Sequence, residues 1–93
     1  MYFSAYHFDG EPAGLVASYR TLMSRFPDID LNLCVEREGG VTIYDTCPSE
    51  ADFLAFSVDP GFRAALAEAG LPEPWVEPLG EIRAITGRQT VSR

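Results

Sequence analysis

The first third of the chain predicts a strand followed by an amphipathic helix. Residues 1–8 are aromatic-rich and partly alternating, which is typical of a strand, and Asp9-Gly10 ends it. After Pro12, which suits the first turn of a helix, apolar residues recur at the spacing of one helical face. These apolar positions are Leu15, Tyr19, Leu22 and Phe26. Pro27 ends the predicted helix.

The middle of the chain predicts a β-hairpin. Residues 30–37 alternate between apolar and polar side chains, and residues 41–47 form the return strand. A three-residue loop over 38–40 is preferred, because a two-residue loop would place Glu36 on the same face as Ile43. This register directs one set of side chains toward the helices: Leu31, Leu33, Val35, Val41 and Ile43. It directs a more polar set to the opposite, open face: Asn32, Cys34, Glu36, Thr42, Tyr44 and Thr46.

The last third predicts a broken helix and a final strand. Residues 49–70 form the helix, with a bend near 57–60 because Asp59 offers a second N-cap. Gly70 ends it. Residues 75–85 read as an edge strand or a bulged strand, since prolines interrupt the pattern.

The order strand, helix, strand, strand, helix, strand predicts an α+β fold. It is the order of the ferredoxin-like split βαβ arrangement, with two helices on one face of a four-stranded antiparallel sheet. We expect a single domain over residues 1–85 and a flexible tail over residues 86–93. The uncovered sheet face needs a partner, so we expect a homodimer in which two sheets face each other and form an α+β barrel with a cavity.

Composition narrows the possible partners. The 93 residues carry 14 acidic and 7 basic side chains, a net charge of −7, and every one of the basic residues is arginine. This balance argues against nucleic acid and anionic membranes as partners. The absence of lysine also excludes a Schiff-base lysine. The sequence has neither a membrane-spanning apolar run nor a signal-peptide pattern, so we expect a cytoplasmic protein. Arginine without lysine, together with abundant alanine, glycine and proline, suggests a GC-rich bacterial genome.

No cofactor or metal is predicted. The sequence lacks a Gly-x-Gly-x-x-Gly pattern for a dinucleotide, and Glu36 and Asp45 have no metal-ligand spacing with a histidine. Cys34 and Cys47 are too few for a zinc site, and the predicted register places them on opposite faces. We therefore expect two reduced thiols.

The stretch 47–66 resembles the second-helix signature of the dimeric α/β barrel, or antibiotic-biosynthesis-monooxygenase-like, superfamily. The matching residues are Ser57, Phe62, Arg63 and Leu66. The resemblance implies a cofactor-free oxygenase, isomerase or cyclase that acts on an aromatic or polyketide-type molecule. Haem-degrading members have an iron-ligating histidine on the second helix, and this chain has none there, so haem is not expected.

Candidate catalytic residues are His7, Tyr6 and Tyr44. His7 is the only histidine, and histidine is the side chain that titrates near neutral pH. We expect Tyr6 and Tyr44 to line the open-face cavity and His7 to point toward the helices. Candidate ligand-binding residues are Ser4, Asn32, Cys34, Thr46 and Trp75. The alternative hypothesis is a non-catalytic small-molecule-binding or protein-interaction module, in which aromatic residues supply interface area and His7 is incidental.

Overall fold

A computed structural model describes residues 1–87 of the chain. It is an α+β structure with four strands and three helices. The strands are β1 (Tyr2–Asp9), β2 (Asn32–Arg37), β3 (Gly40–Cys47) and β4 (Trp75–Glu81), and the helices are α1 (Pro12–Met23), α2 (Glu50–Ser57) and α3 (Pro60–Ala69). The predicted order of elements is confirmed, and the broken helix is two separate helices. Of the predicted tail, residues 88–93 lie outside the described residues.

The strands form one open antiparallel sheet in the order β2-β3-β1-β4. This arrangement is compatible with a ferredoxin-like fold. β4 is an edge strand, and its pairing shifts register opposite Phe3 and Ser4, next to Pro78. The predicted edge position and bulge of the proline-containing strand are therefore confirmed.

Local signals place the ends of α2 and α3 where the sequence predicts them, whereas α1 ends at Met23, before the predicted end at Pro27. The Ser49 side chain accepts a hydrogen bond from the Asp52 amide at 3.1 Å and caps α2. The Asp59 carboxylate accepts one from the Phe62 amide at 3.0 Å and caps α3. Gly70 ends α3 with a φ of 92°, a conformation that favours glycine.

The core lies between the sheet and the three helices, and its aromatic centre is Tyr6. The Tyr6 ring is 6.4 Å from that of Phe53 in α2 and 5.6 Å from that of Phe62 in α3. Phe53 also packs on Tyr2, at 5.3 Å. The prediction for β1 is therefore wrong: Tyr6 faces the helices and His7 faces the open side. The large tyrosine rings fill the space under the helices. Their hydroxyl groups had suggested a place on the more polar, open face.

The hairpin register also differs from the prediction by one residue. Its loop has two residues, and Cys34 rather than Val35 lies opposite Ile43. Gly40 is the first residue of β3 and pairs with Asp9 of β1. Only glycine fits at this position, because a Cβ atom there would lie 2.0 Å from the carbonyl oxygen of Phe8. A shift of one residue reverses every side chain in β2.

This reversal changes the environment of β2 on both faces. Leu33 and Val35 lie exposed on the open face, and Asn32 and Cys34 face the helices. Glu36 shares the helix-covered face with Val41, but it sits at the sheet edge and is exposed. The two cysteines consequently lie on the same face, contrary to the prediction, and both are free thiols.

Candidate functional site

The predicted site residues separate into two groups on opposite faces of the sheet. The open face carries His7, Tyr44, Thr46 and Trp75. The helix-covered face carries Ser4, Tyr6, Asn32 and Cys34. The expectation that Tyr6 and Tyr44 line one cavity is therefore wrong, because the sheet separates the two side chains.

His7 is the centre of a hydrogen-bond network on the open face. Its Nε2 lies 2.8 Å from Oε1 of Glu77, and its Nδ1 lies 2.9 Å from Oγ1 of Thr42. The network therefore joins β4, β1 and β3. The Trp75 ring stacks on the imidazole with the ring centroids 4.8 Å apart. These contacts fix the plane of the imidazole ring from two edges and one face.

The partners of His7 set the direction of the hydrogen bonds. A carboxylate only accepts, so the Nε2–H of neutral His7 donates to Glu77 and Nδ1 accepts from the Thr42 hydroxyl. The Thr42 oxygen is in turn 3.4 Å from Nε of Arg37, whose guanidinium donates to Asp9 at 3.0 Å. A carboxylate, an imidazole, a hydroxyl and a guanidinium thus follow one another across the sheet.

Apolar side chains surround this network. Trp75 is 65% exposed, Leu33 47% and Val35 45%, and the rings of Phe3 and Tyr44 stack beside them at 5.7 Å. An open depression of about 600 Å³ lies next to the network. It is lined by His7, Asp9, Arg37, Glu73, Pro74 and Trp75. The open face therefore combines one polar centre with an unusual amount of exposed apolar surface.

A second polar group lies under the helices. Ser4, Asp45 and Asn32 form a row across β1, β3 and β2. The Asn32 amide donates to Oδ1 of Asp45 at 3.0 Å, and its own oxygen accepts from the Tyr19 hydroxyl at 2.7 Å. Burial raises the pKa of Asp45, although the hydrogen bond from Asn32 acts in the opposite direction.

A cleft opens over this row between the end of α1, the end of β3 and α2. We call it the helix-side cleft; it is lined by Phe26, Ile29, Asp45, Asp52 and Phe56. Its outer part has a volume of about 680 Å³. Phe26, Ile29, Asp45 and Phe56 also line a narrow inner extension, which reaches Tyr6.

Two buried hydroxyl groups on β1 have no hydrogen-bond partner other than each other among residues 1–87. They belong to Ser4 and Tyr6, whose side chains are neighbours on β1. Burial, reinforced by the negative charge of Asp45, raises the pKa of Tyr6. Tyr6 therefore remains a neutral phenol that offers a hydroxyl group to the cleft.

The cysteines are poor candidates for nucleophiles. Burial raises the pKa of Cys34, and burial together with Asp45 and Asp52 raises that of Cys47 to about 11. Because the thiolate is the reactive form, both groups are protonated and unreactive at neutral pH.

Sequence reasoning missed Glu77, Thr42 and Asp45 as site residues. Glu77 alternates with Trp75 along β4, and Thr42 lies directly opposite His7, so correct faces for β1 would have brought all of them together. In the sequence, Asp45 stands out only as a possible metal ligand. The signal that could have found it is a charged residue in an otherwise apolar strand.

Residues 1–87 contain neither a cluster suited to a metal ion nor a helix suited to a membrane. In that part of the chain no three His, Cys, Asp or Glu side chains are grouped so that they could hold a metal ion. No helix formed by these residues has the length and apolar character needed to cross a membrane.

Comparison of the chain with protein-family models, with curated proteins and with solved structures finds no match. The resemblance to the dimeric α/β barrel superfamily thus rests on the residues of this chain alone.

Proposed function

We propose that the protein is a homodimeric, cofactor-independent enzyme that moves protons on a small aromatic molecule bound beside His7. The observation that carries this proposal is the position of His7 between Glu77 and Thr42, at 2.8 and 2.9 Å, next to the exposed ring of Trp75. A histidine that is oriented by a carboxylate is a common arrangement for a general base. The resemblance of residues 47–66 adds support for an aromatic or polyketide-type substrate.

A second copy of the chain is the proposed cover of the open face. Leu33, Val35 and Trp75 are too exposed for an isolated small domain, and pairing two such faces would enclose the depression beside His7. The open face also carries both signs of charge, with Arg37 and Glu77. A surface that pairs with itself across a two-fold axis needs this self-complementarity.

The proposed reaction uses the network as follows. Glu77 holds the Nε2–H of His7, so Nδ1 is the basic nitrogen. The Thr42 side chain turns about its Cα–Cβ bond and moves its oxygen away from Nδ1, whose lone pair then takes a proton from a phenol or from a carbon next to a carbonyl group. Glu77 stabilises the imidazolium that forms, and Arg37 stabilises the negative charge left on the substrate. The ring of Trp75 provides a surface for an aromatic substrate.

The test is hydrogen–deuterium exchange at acidic carbon positions of aromatic ketones, such as 2-tetralone, followed by NMR in D₂O. We expect the protein to accelerate exchange, and His7→Gln to lower the rate by ~10²–10⁴-fold, which is the usual contribution of a general base. Glu77→Gln keeps a hydrogen-bond acceptor but removes the charge, so its rate should fall to an intermediate value. Equal rates for the natural protein and His7→Gln across the ketones would contradict the proposal.

A second candidate function is that of a non-catalytic interaction module. It is favoured by one observation: both ring nitrogens of His7 already have partners within the chain. A purely structural role, in which the network joins three strands, would account for these contacts. In that case His7→Gln would lower the stability of the fold but change no exchange rate, and the protein would still be a dimer.

A further inference from the structure

The helix-side cleft has a strongly acidic lining. Its outer part is lined by four aspartates, Asp28, Asp45, Asp52 and Asp59, and among residues 1–87 the one basic residue in this lining is Arg25. The Arg25 guanidinium donates to Glu68 at 3.3 Å, outside the cleft lining, so its charge is partly compensated. The cleft therefore favours positive charge.

An independent observation comes from the inner end of the cleft. Tyr6 lines this inner part, is only 3% exposed and has a buried hydroxyl group, and its neighbour on β1, Ser4, is fully buried. If the Tyr6 hydroxyl donates to Ser4, the lone pairs of the Tyr6 oxygen still have no donor among residues 1–87. Buried polar groups are normally paired, so an unpaired Tyr6 oxygen near the buried carboxylate of Asp45 indicates a place for a hydrogen-bond donor.

The walls of the cleft are apolar and largely aromatic. Phe26, Phe56 and Ile29 line both its outer and inner parts. Apolar walls with a few convergent polar groups are typical of small-molecule sites, and aromatic faces attract cations. The volume of the outer part, about 680 Å³, is within the range of such sites.

We propose that the helix-side cleft binds a small organic cation, namely a primary amine with an aromatic or branched apolar body. Its ammonium group has N–H donors for the Asp45 carboxylate and for the Tyr6 hydroxyl oxygen, and both residues line the inner part of the cleft. Its apolar body packs between Phe26 and Phe56. The site lies on the opposite side of the sheet from His7, so it does not depend on the proposed acid–base function.

The test is a titration of the full chain with phenethylamine, followed by the backbone amide shifts in ¹⁵N NMR spectra. 2-Phenylethanol and 3-phenylpropionate serve as neutral and anionic analogues of similar shape. We expect saturable shifts around Asp45, Phe26 and Phe56 with the amine. Binding of the alcohol should be at least ~10-fold weaker, because it lacks the charge that Asp45 pairs with.

Variants separate recognition from folding. Asp45→Asn should weaken amine binding at least ~10-fold, since it removes a buried charge partner. Tyr6→Phe should also weaken binding, although its melting temperature should equal or exceed that of the natural chain, because an unpaired buried hydroxyl is removed. The matched control is Glu38→Gln, which removes an exposed carboxylate outside the cleft and should leave the Kd unchanged.

Three results would overturn the proposal. They are the absence of saturable shifts with the amine, equal affinity for the amine and the alcohol, and affinity that neither Asp45→Asn nor Tyr6→Phe changes. If Asp45→Asn fails to fold, Tyr6→Phe alone decides the outcome, since its fold is expected to be at least as stable.

Discussion

His7 and Asp45 place ionisable groups on opposite faces of the same sheet, in contrasting environments. His7 has a hydrogen-bond partner on each ring nitrogen and a stacked aromatic ring. Asp45 is almost fully buried and has one side-chain donor, Asn32. Burying a carboxylate with so little compensation opposes folding. A role of this charge in ligand binding would explain why the carboxylate is buried. Its unfavourable contribution to the free energy of unfolding can be measured.

Asp45→Asn should raise the stability of the protein at neutral pH and change it little in acid. Burial raises the pKa of Asp45, so the folded state keeps the proton to a higher pH than the unfolded chain does. The free energy of unfolding of the natural chain therefore falls as pH rises from the ordinary aspartate pKa through the raised one. The asparagine variant lacks this titration.

Melting temperatures of both proteins between about pH 3 and 7 test this expectation, since model aspartates titrate near ~3.9. The difference in favour of Asp45→Asn should grow with pH. Glu38→Gln, at an exposed position, should show no such growth. A difference that stays constant, or that shrinks with rising pH, would contradict the assignment.

Glu77→Ala should allow neutral His7 to populate both of its tautomers. In the natural protein the carboxylate accepts from Nε2–H, so neutral His7 should be in the Nε2–H form, which ¹⁵N shifts of the ring nitrogens report. Without the carboxylate, both tautomers should be populated. Thr42→Val serves as the control, because it removes the partner of Nδ1 and leaves Glu77 in place. A natural protein that already shows an equal mixture would contradict the network.

Secondary-structure elements could be predicted from the sequence because their signals are local. Ser49 and Asp59 cap the helices they were expected to cap, and Gly70 ends α3. The faces of β1 and β2 could not be predicted, because they depend on contacts between strands. Two glycines at 39–40 suit a loop of two or three residues, and Glu36 tolerates the helix-covered face because it lies at the sheet edge.

The same contrast between local signals and contacts between strands applies to the candidate sites. His7 and Trp75 were found from residue type, since a sole histidine and an exposed-strand tryptophan are notable in any register. Glu77 could not be linked to them without the faces of β1 and β4. Tyr6 was assigned to the wrong cavity for the same reason, and the helix-side cleft has no sequence signal beyond the buried charge of Asp45.

Gly40→Ala should disrupt the pairing of β1 with β3. The added Cβ would lie 2.0 Å from the backbone oxygen of Phe8, and backbone in the centre of a sheet cannot move away easily. We expect a loss of more than ~3 kcal/mol in the free energy of unfolding, the range of severe single substitutions. Urea denaturation measures it. Gly87→Ala is the control, because a Cβ atom there would meet no atom within 4 Å among the described residues beyond its chain neighbours. A Gly40→Ala protein as stable as the natural one would contradict this steric role of Gly40.

At the scale of the whole molecule, the two faces of the sheet have different surroundings. Three helices cover one face and build the core there, together with the acidic cleft. The other face is uncovered and holds the His7 network among exposed Leu33, Val35 and Trp75. A chain of 93 residues buries a modest fraction of its surface alone, so pairing of the open faces would add stability as well as enclose the network.

Val35→Glu should convert the proposed dimer into a monomer. Val35 is 45% exposed in the single chain and lies on the open face, where a two-fold axis would bring its charged replacement close to a second copy. Light scattering after size exclusion should give twice the 10.2 kDa chain mass for the natural protein and a single chain mass for the variant. Val58→Glu is the matched control: it makes the same change at an exposed position between α2 and α3, away from the sheet, and should remain dimeric. A natural protein that is monomeric at every concentration, or equal effects of the two substitutions, would contradict the pairing of open faces and leave His7 facing solvent.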